Sequence, residues 1–135
     1  MQKIEHIGIA VKSIDAYIKM YEQLLNTPCY KLEEVASEGV KTAFYRVGPN
    51  KIELLEATKP DSPIAKFIEK KGEGIHHIAY AVSNIVQEID RLKNLGFELL
   101  NNTPKNGADN KEIVFLHPRS AGGVLVELCA ERITK

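Results

Sequence analysis

Cysteine is scarce: Cys29 and Cys129 are the only two in 135 residues. Their separation matches no metal-binding or redox spacing, and a reducing compartment would keep them as thiols, so both read as small core residues. An excess of one charge is missing as well. Eighteen basic and eighteen acidic residues cancel without a run of either sign, which argues against a nucleic-acid track or an anionic membrane surface as partner. No stretch approaches the roughly 20 apolar residues of a membrane span, and the first residues alternate as a strand, unlike a charged and then apolar leader. A phosphate-binding glycine loop is also lacking. These absences predict a cytoplasmic protein with a small-molecule ligand, no nucleic-acid partner and no membrane partner. At 44% hydrophobic, a chain of this length buries about two-thirds of its unfolded surface, enough for a single domain over 1–135.

What the chain does have is a repeat. Gly74-Ile75-His76-His77-Ile78-Ala79-Tyr80-Ala81-Val82 echoes Lys3-Ile4-Glu5-His6-Ile7-Gly8-Ile9-Ala10-Val11, and the match continues through Ser13/Asn84, Ile14/Ile85 and Ile18/Ile89. A strand followed by a helix recurs. In extended chain, His6, Gly8 and Ala10 share one face and Ile7, Ile9 and Val11 the other. The second copy sorts His77, Ala79 and Ala81 against Ile78, Tyr80 and Val82. The bulky face can pack on the following helix, while each histidine, flanked by glycine or alanine, faces space the strand does not fill.

Taken in order, Ser13 predicts the cap of a helix with Ile14, Tyr17, Ile18, Tyr21, Leu24 and Leu25 at helical spacing, stopped by Thr27-Pro28. Strands are expected at 29–33, 40–47 and 51–56, with Gly48-Pro49-Asn50 as the hairpin turn. A connecting helix over 61–72 has Asp61 or Ser62 as cap, Pro63 in its first turn and Gly72 as its stop. The second module predicts a helix capped by Asn84 and ended by Gly96, then strands at 97–101, 112–117 and 123–129. The repeat thus divides the chain into modules 1–60 and 73–135.

Glu53 lies among Ile52, Leu54 and Leu55, and Glu127 among Val126, Leu128 and Cys129. A carboxylate inside an apolar strand is costly unless it is paired, neutralised or bound to a cation; an edge position open to water is the plain alternative. A single core histidine is more often hydrogen-bonded than ligating. Both residue types recur at matching places, however, and two imidazoles with two carboxylates suit an open catalytic divalent metal site better than a closed structural one. Metal ligands are therefore expected at His6, Glu53, His77 and Glu127. His76 points to the opposite face and reads as structural or at a rim. His117-Pro118-Arg119 and Lys111 could meet an anion or simply be solvated, and Asn50 and Asn110 read as turn residues.

The motifs Glu5 to Val11, Lys51-Ile52-Glu53-Leu54-Leu55, Asp61 to Phe67, Gly72 to Ala79, Phe115-Leu116-His117-Pro118 and Gly122 to Leu128 span essentially the whole chain. In them the sequence resembles the vicinal-oxygen-chelate superfamily and, within it, the methylmalonyl-CoA epimerases. The resemblance implies an α+β fold of two paired βαβββ modules, forming a curved eight-stranded sheet around one divalent transition metal ion. Cobalt, manganese, nickel and zinc all accept the four ligands. It also implies an acyl-CoA substrate, a homodimer, and epimerisation at C2 through a metal-stabilised enolate. Proton transfer would fall to Glu127 and, by hypothesis, Glu53. The family pattern carries glutamine at the position of Glu53 and a basic glutamate at that of Thr42, and threonine cannot be that base. The His/Glu/His/Glu set also resembles glyoxalase I, an isomerase acting on a glutathione conjugate, and a metal-free binding module of the same superfamily is the third reading.

Overall fold

The structure, a computed structural model, describes residues 1–132; the end of the second expected module, 133–135, lies outside the described residues. Two compact units are found, one from His6 to His76 and one combining Met1–Glu5 with the chain from His77 onward. The first unit holds most of β1 (Lys3–Ala10), then α1 (Ile14–Leu25), β2 (Lys31–Val35), β3 (Val40–Val47), β4 (Asn50–Ala57) and α2 (Pro63–Lys71). Its strands are ordered β2-β3-β4-β1, antiparallel except for the parallel β4/β1 pair. The second holds most of β5 (Gly74–Ala81), then α3 (Ile85–Asn94), β6 (Lys105–Asn106), β7 (Lys111–Leu116) and β8 (Val126–Glu131). Its order is β5-β8-β7-β6, with β5 and β8 parallel and the rest antiparallel. Each module is βαβββ, as the repeat predicts. Among the described residues no helix is long and apolar enough to cross a membrane.

In the first unit the alternation of β1 works as expected. Ile9 and Val11 pack with Ala43, Tyr45, Leu54 and Ile52 against Ile14, Tyr17 and Ile18 of α1. Fully burying a side chain such as Leu54 is worth about 1.5–3 kcal/mol. Tyr45 is wholly buried and donates its hydroxyl to Ile18 O at 3.2 Å; burial pushes its pKa up to about 12. In the second unit Ile85, Ile89 and Leu92 of α3 cover Val82, Val114 and Leu128. The register of the β3–β4 hairpin is set by a two-residue turn, Gly48-Pro49, with Val47 opposite Asn50. Gly48 has φ +59°, the left-handed conformation that a II′ turn requires at its first central residue.

Helix ends follow the sequence in two cases and depart from it in one. Ser62 Oγ accepts from Ala65 N at 3.2 Å, and Asn84 Oδ1 accepts from Gln87 N at 3.0 Å. Ser13 occupies the cap position of α1, yet its side chain makes no capping bond. The Glu56 carboxylate, at the end of β4, accepts from Ile14 N at 2.6 Å instead. Just before the helix, Glu73 accepts from Lys12 N at 2.7 Å and from the Tyr17 hydroxyl at 2.6 Å. A full carboxylate serves the helix N-terminus better than a serine hydroxyl, because it also opposes the positive end of the dipole.

The strand expected at 97–101 is reduced to a bridge between Leu99 and Leu116. His117 N still reaches Glu98 O, and Leu100 N reaches Phe115 O, both at 2.8 Å. The ladder then stops at Asn101, whose side-chain Oδ1 accepts from Phe115 N at 3.3 Å while its Nδ2 donates to Thr103 O at 2.8 Å. Pairing resumes only at β6, two residues long, between the strands expected at 97–101 and 112–117. The final strand begins at Val126 rather than 123.

Candidate active site

Register and pleat place His6, Gly8 and Ala10 of β1 on one face with Lys51, Glu53 and Leu55 of β4 and with Thr42 and Phe44 of β3. Gly8 is the partner of Glu53 on one side and Phe44 on the other. Glycine leaves room, so the carboxylate can turn back towards the histidine two residues earlier on β1. His6 Nδ1 and Glu53 Oε2 are 3.1 Å apart, and each residue is 5% exposed.

The second unit builds the same thing. His77, Ala79 and Ala81 of β5 share a face with Glu127 and Cys129 of β8 and with Phe115 and Ile113 of β7. Ala79 stands opposite Glu127, and Phe115 flanks it from the far side. His77 Nε2 and Glu127 Oε1 are 3.3 Å apart, again with each residue 5% exposed. The His77 ring meets Phe115 edge-on at 5.8 Å.

Two donor atoms each about 2.1 Å from a shared ion stand about 3.0 Å apart at right angles and about 3.4 Å apart at the tetrahedral angle. Each pair meets that requirement by itself, with one imidazole nitrogen and one carboxylate oxygen, both sheltered from water. The donor set of each unit therefore fits a divalent transition metal, and the mixed N/O chemistry fits it better than it fits calcium or magnesium.

The alternating pattern of the sequence singles out the histidines and glutamates but passes over their neighbours. Phe44 and Phe115 wall the two carboxylates, and a lysine lies over each ring: Lys31 Nζ at 5.2 Å from the Phe44 centroid and Lys105 Nζ at 5.8 Å from that of Phe115. Extending the repeat comparison to β3 and β7 would have revealed the two phenylalanines. Lys51, the register partner of His6, is 8% exposed and lies on this same face.

Other candidates resolve into structure. His76 is half-buried with its ring edge-on to Phe67 of α2 at 4.9 Å, and desolvation lowers its pKa to about 4. His117 Nδ1 accepts from Arg119 N at 3.1 Å, capping a short 3-10 turn, while Arg119 forks onto Glu98 at 2.9 and 3.1 Å. Lys111 pairs with Glu131. Asn110, at φ +58°, is a turn residue as expected, whereas Asn50 is the first residue of β4. Cys129 is buried, Cys29 is half-buried in the first-unit core, and both are thiols.

Residues 5–115 match the family model described as Glyoxalase/Bleomycin resistance protein/Dioxygenase superfamily. The chain is 40% identical over 129 residues to the uncharacterised protein YqjC of Bacillus subtilis, covering 96% of this chain and 92% of that one. It is 39% identical over 128 residues to the ethylmalonyl-CoA/methylmalonyl-CoA epimerase of Cereibacter sphaeroides, covering 93% and 96%. Among solved structures, the Streptomyces coelicolor methylmalonyl-CoA epimerase in complex with 2-nitronate-propionyl-CoA superposes with a TM-score of 0.93 at 30% identity, over 100% of this chain and 98% of that one.

Proposed function

The chain belongs to the Glyoxalase/Bleomycin resistance protein/Dioxygenase superfamily, and on that premise we propose that it is a methylmalonyl-CoA epimerase, an isomerase that inverts C2 of an acyl-CoA. The single observation that carries the reading is the buried histidine–glutamate pair built twice, at equivalent register positions of two modules. Full-length likeness to a named epimerase at 39% identity supports it.

In this proposal His6, Glu53, His77 and Glu127 hold one divalent transition metal ion, with cobalt, manganese, nickel and zinc all compatible with the donors. When bound, that ion supplies Lewis-acid polarisation of the substrate's thioester oxygen. The C2 hydrogen lies between a thioester and a carboxylate and is acidified by the thioester carbonyl. Glu127 takes that proton from one face, and Glu53 returns one from the other. One of the two must start protonated, and the pair ends with its protonation exchanged, so each turnover balances. Burial of both carboxylates beside an aromatic wall keeps bulk water from quenching the carbanionic carbon before inversion. Location in the cytoplasm is part of the same proposal, as is assembly as a homodimer, which rests on the family likeness.

The test is proton exchange. Metal-loaded protein and one epimer of methylmalonyl-CoA are placed in heavy water, with and without chelator, and deuterium at C2 and the epimer ratio are read. Chelator-sensitive exchange with inversion is expected. Glu53→Gln should keep the metal and lose epimerisation by about 10²–10⁴-fold, and retained inversion in that variant would sink the two-glutamate scheme. Because both carboxylates come from glutamates, the glutathione hemithioacetal used by glyoxalase I is the substrate to try if no exchange occurs with any metal.

A further inference from the structure

Thr42 is 1% exposed, and its hydroxyl oxygen is buried with no hydrogen-bond partner. Leaving such a group unsatisfied costs about 1–3 kcal/mol, so something must account for it. The fold does not need it. Thr42 stands opposite Leu55, two residues beyond Glu53 on the same face. At the equivalent place in the second unit, opposite Cys129 and two residues beyond Glu127, the residue is Ile113. An apolar side chain therefore serves that register position in the copy, and Ile113 packs there with Ala79, Cys129 and Phe115.

The surroundings say which way the hydroxyl is useful. Leu55 and Ala10 lead away from it to a cluster covered by Ile64, Phe67 and Ile68 of α2, where a hydroxyl has nothing to meet. In the other direction lie Phe44, Gly8 and Glu53, with glycine leaving space in front of the carboxylate. Thr42 marks the border between the part of the face that α2 closes and the part that holds the His6–Glu53 pair.

We propose that the Thr42 hydroxyl is a substrate-binding donor, satisfied only when a carbonyl or carboxylate oxygen of a bound malonyl-type thioester lies on the Glu53 face. The proposal rests on the epimerase reading for its ligand class, and on the orphaned oxygen for its position. It makes the empty protein carry a cost that the ligand relieves.

The experiment compares the unsubstituted protein with Thr42→Val, which keeps the shape and removes the hydroxyl, and Thr42→Ser, which keeps the hydroxyl. Melting temperature is measured without ligand, and affinity is measured for malonyl-CoA and for propionyl-CoA, which lacks the free carboxylate. Thr42→Val should melt about 3–6 °C higher and bind malonyl-CoA about three- to tenfold more weakly, with Thr42→Ser close to the unsubstituted affinity. Weakening confined to malonyl-CoA assigns the bond to the carboxylate; weakening of both thioesters assigns it to the thioester carbonyl. An unchanged or lowered melting temperature in Thr42→Val, or unchanged affinity for both thioesters, overturns the proposal. If the unsubstituted protein fails to epimerise but Thr42→Val still weakens malonyl-CoA binding, the epimerase reading falls and the donor role stands. If the unsubstituted protein binds neither thioester, both fall.

Discussion

The face around Glu53 and the face around Glu127 use the same four devices: a histidine, a small residue opposite the glutamate, a phenylalanine behind it and a lysine over the phenylalanine ring. They differ in what surrounds those devices. The first face has a buried lysine, Lys51, and an unsatisfied hydroxyl at Thr42, and its outer strand β2 runs five residues. The second has Ile113 in place of the threonine, and its outer strand is two residues long. On the proposed reading, the repeat preserves the groups that would hold the metal and move the proton, and varies what surrounds them. A methylmalonyl thioester carries two different carbonyl groups on C2, so two identical faces would serve such a ligand badly.

Several substitutions would break or sharpen this comparison. The largest effect on stability is expected at the aromatic walls. Phe44 is fully buried, whereas Phe115 is half-buried. Phe44→Ala should cost about 3–5 kcal/mol in denaturant unfolding and Phe115→Ala distinctly less; equal costs would mean the two walls are packed alike. The helix caps come next. Asn84→Ala removes a made bond and should cost about 1 kcal/mol, whereas Ser13→Ala removes none and should lie within about 0.5 kcal/mol of zero. A costly Ser13→Ala would contradict the capping of α1 by Glu56.

The smallest effect is electrostatic. Bonds from Lys12 N and the Tyr17 hydroxyl hold the Glu73 pKa below the usual carboxylate range. A carboxylate lowered in the folded state adds stability above its unfolded pKa, and that addition is lost as pH falls through the folded value. Melting temperatures measured from neutral to acid pH should therefore show a shallower acid decline in Glu73→Gln than in the unsubstituted protein. At the start of α3 in the second unit, Asn84 caps directly.

Much of this architecture was readable from residues alone, and the reasons for the exceptions are physical. His6, His77, Glu53 and Glu127 stood out because a period of two exposes any polar residue that breaks an apolar face. Phe44 and Phe115 did not, since an aromatic inside an apolar strand reads as ordinary core. Ser13 holds the cap position of α1 as expected, but the carboxylate that serves the helix start is that of Glu56, 42 residues away, which no local pattern reveals. Asn101 interrupts a strand with its own side chain, a competition between carboxamide and backbone that propensity does not register. That the Thr42 hydroxyl has no partner depends on every atom around it, and no sequence pattern encodes such an absence.

Strand β1 belongs to both units, with Lys3–Glu5 in one and His6–Ala10 in the other. Gln2 N bonds to Ala81 O at 2.8 Å, and the Met1 amine lies 3.8 Å from Glu88. On the ribosome the N-terminus emerges first, and at about 5–20 residues per second the carbonyl that Gln2 needs is made roughly 4–16 s later. The segment from His6 to His76 is complete while the chain is still growing, but the residues ahead of it must wait for a later part of the message. A cell that stalls translation midway through this gene therefore holds a half-built protein with an unpaired strand end, which is the kind of surface that chaperones bind.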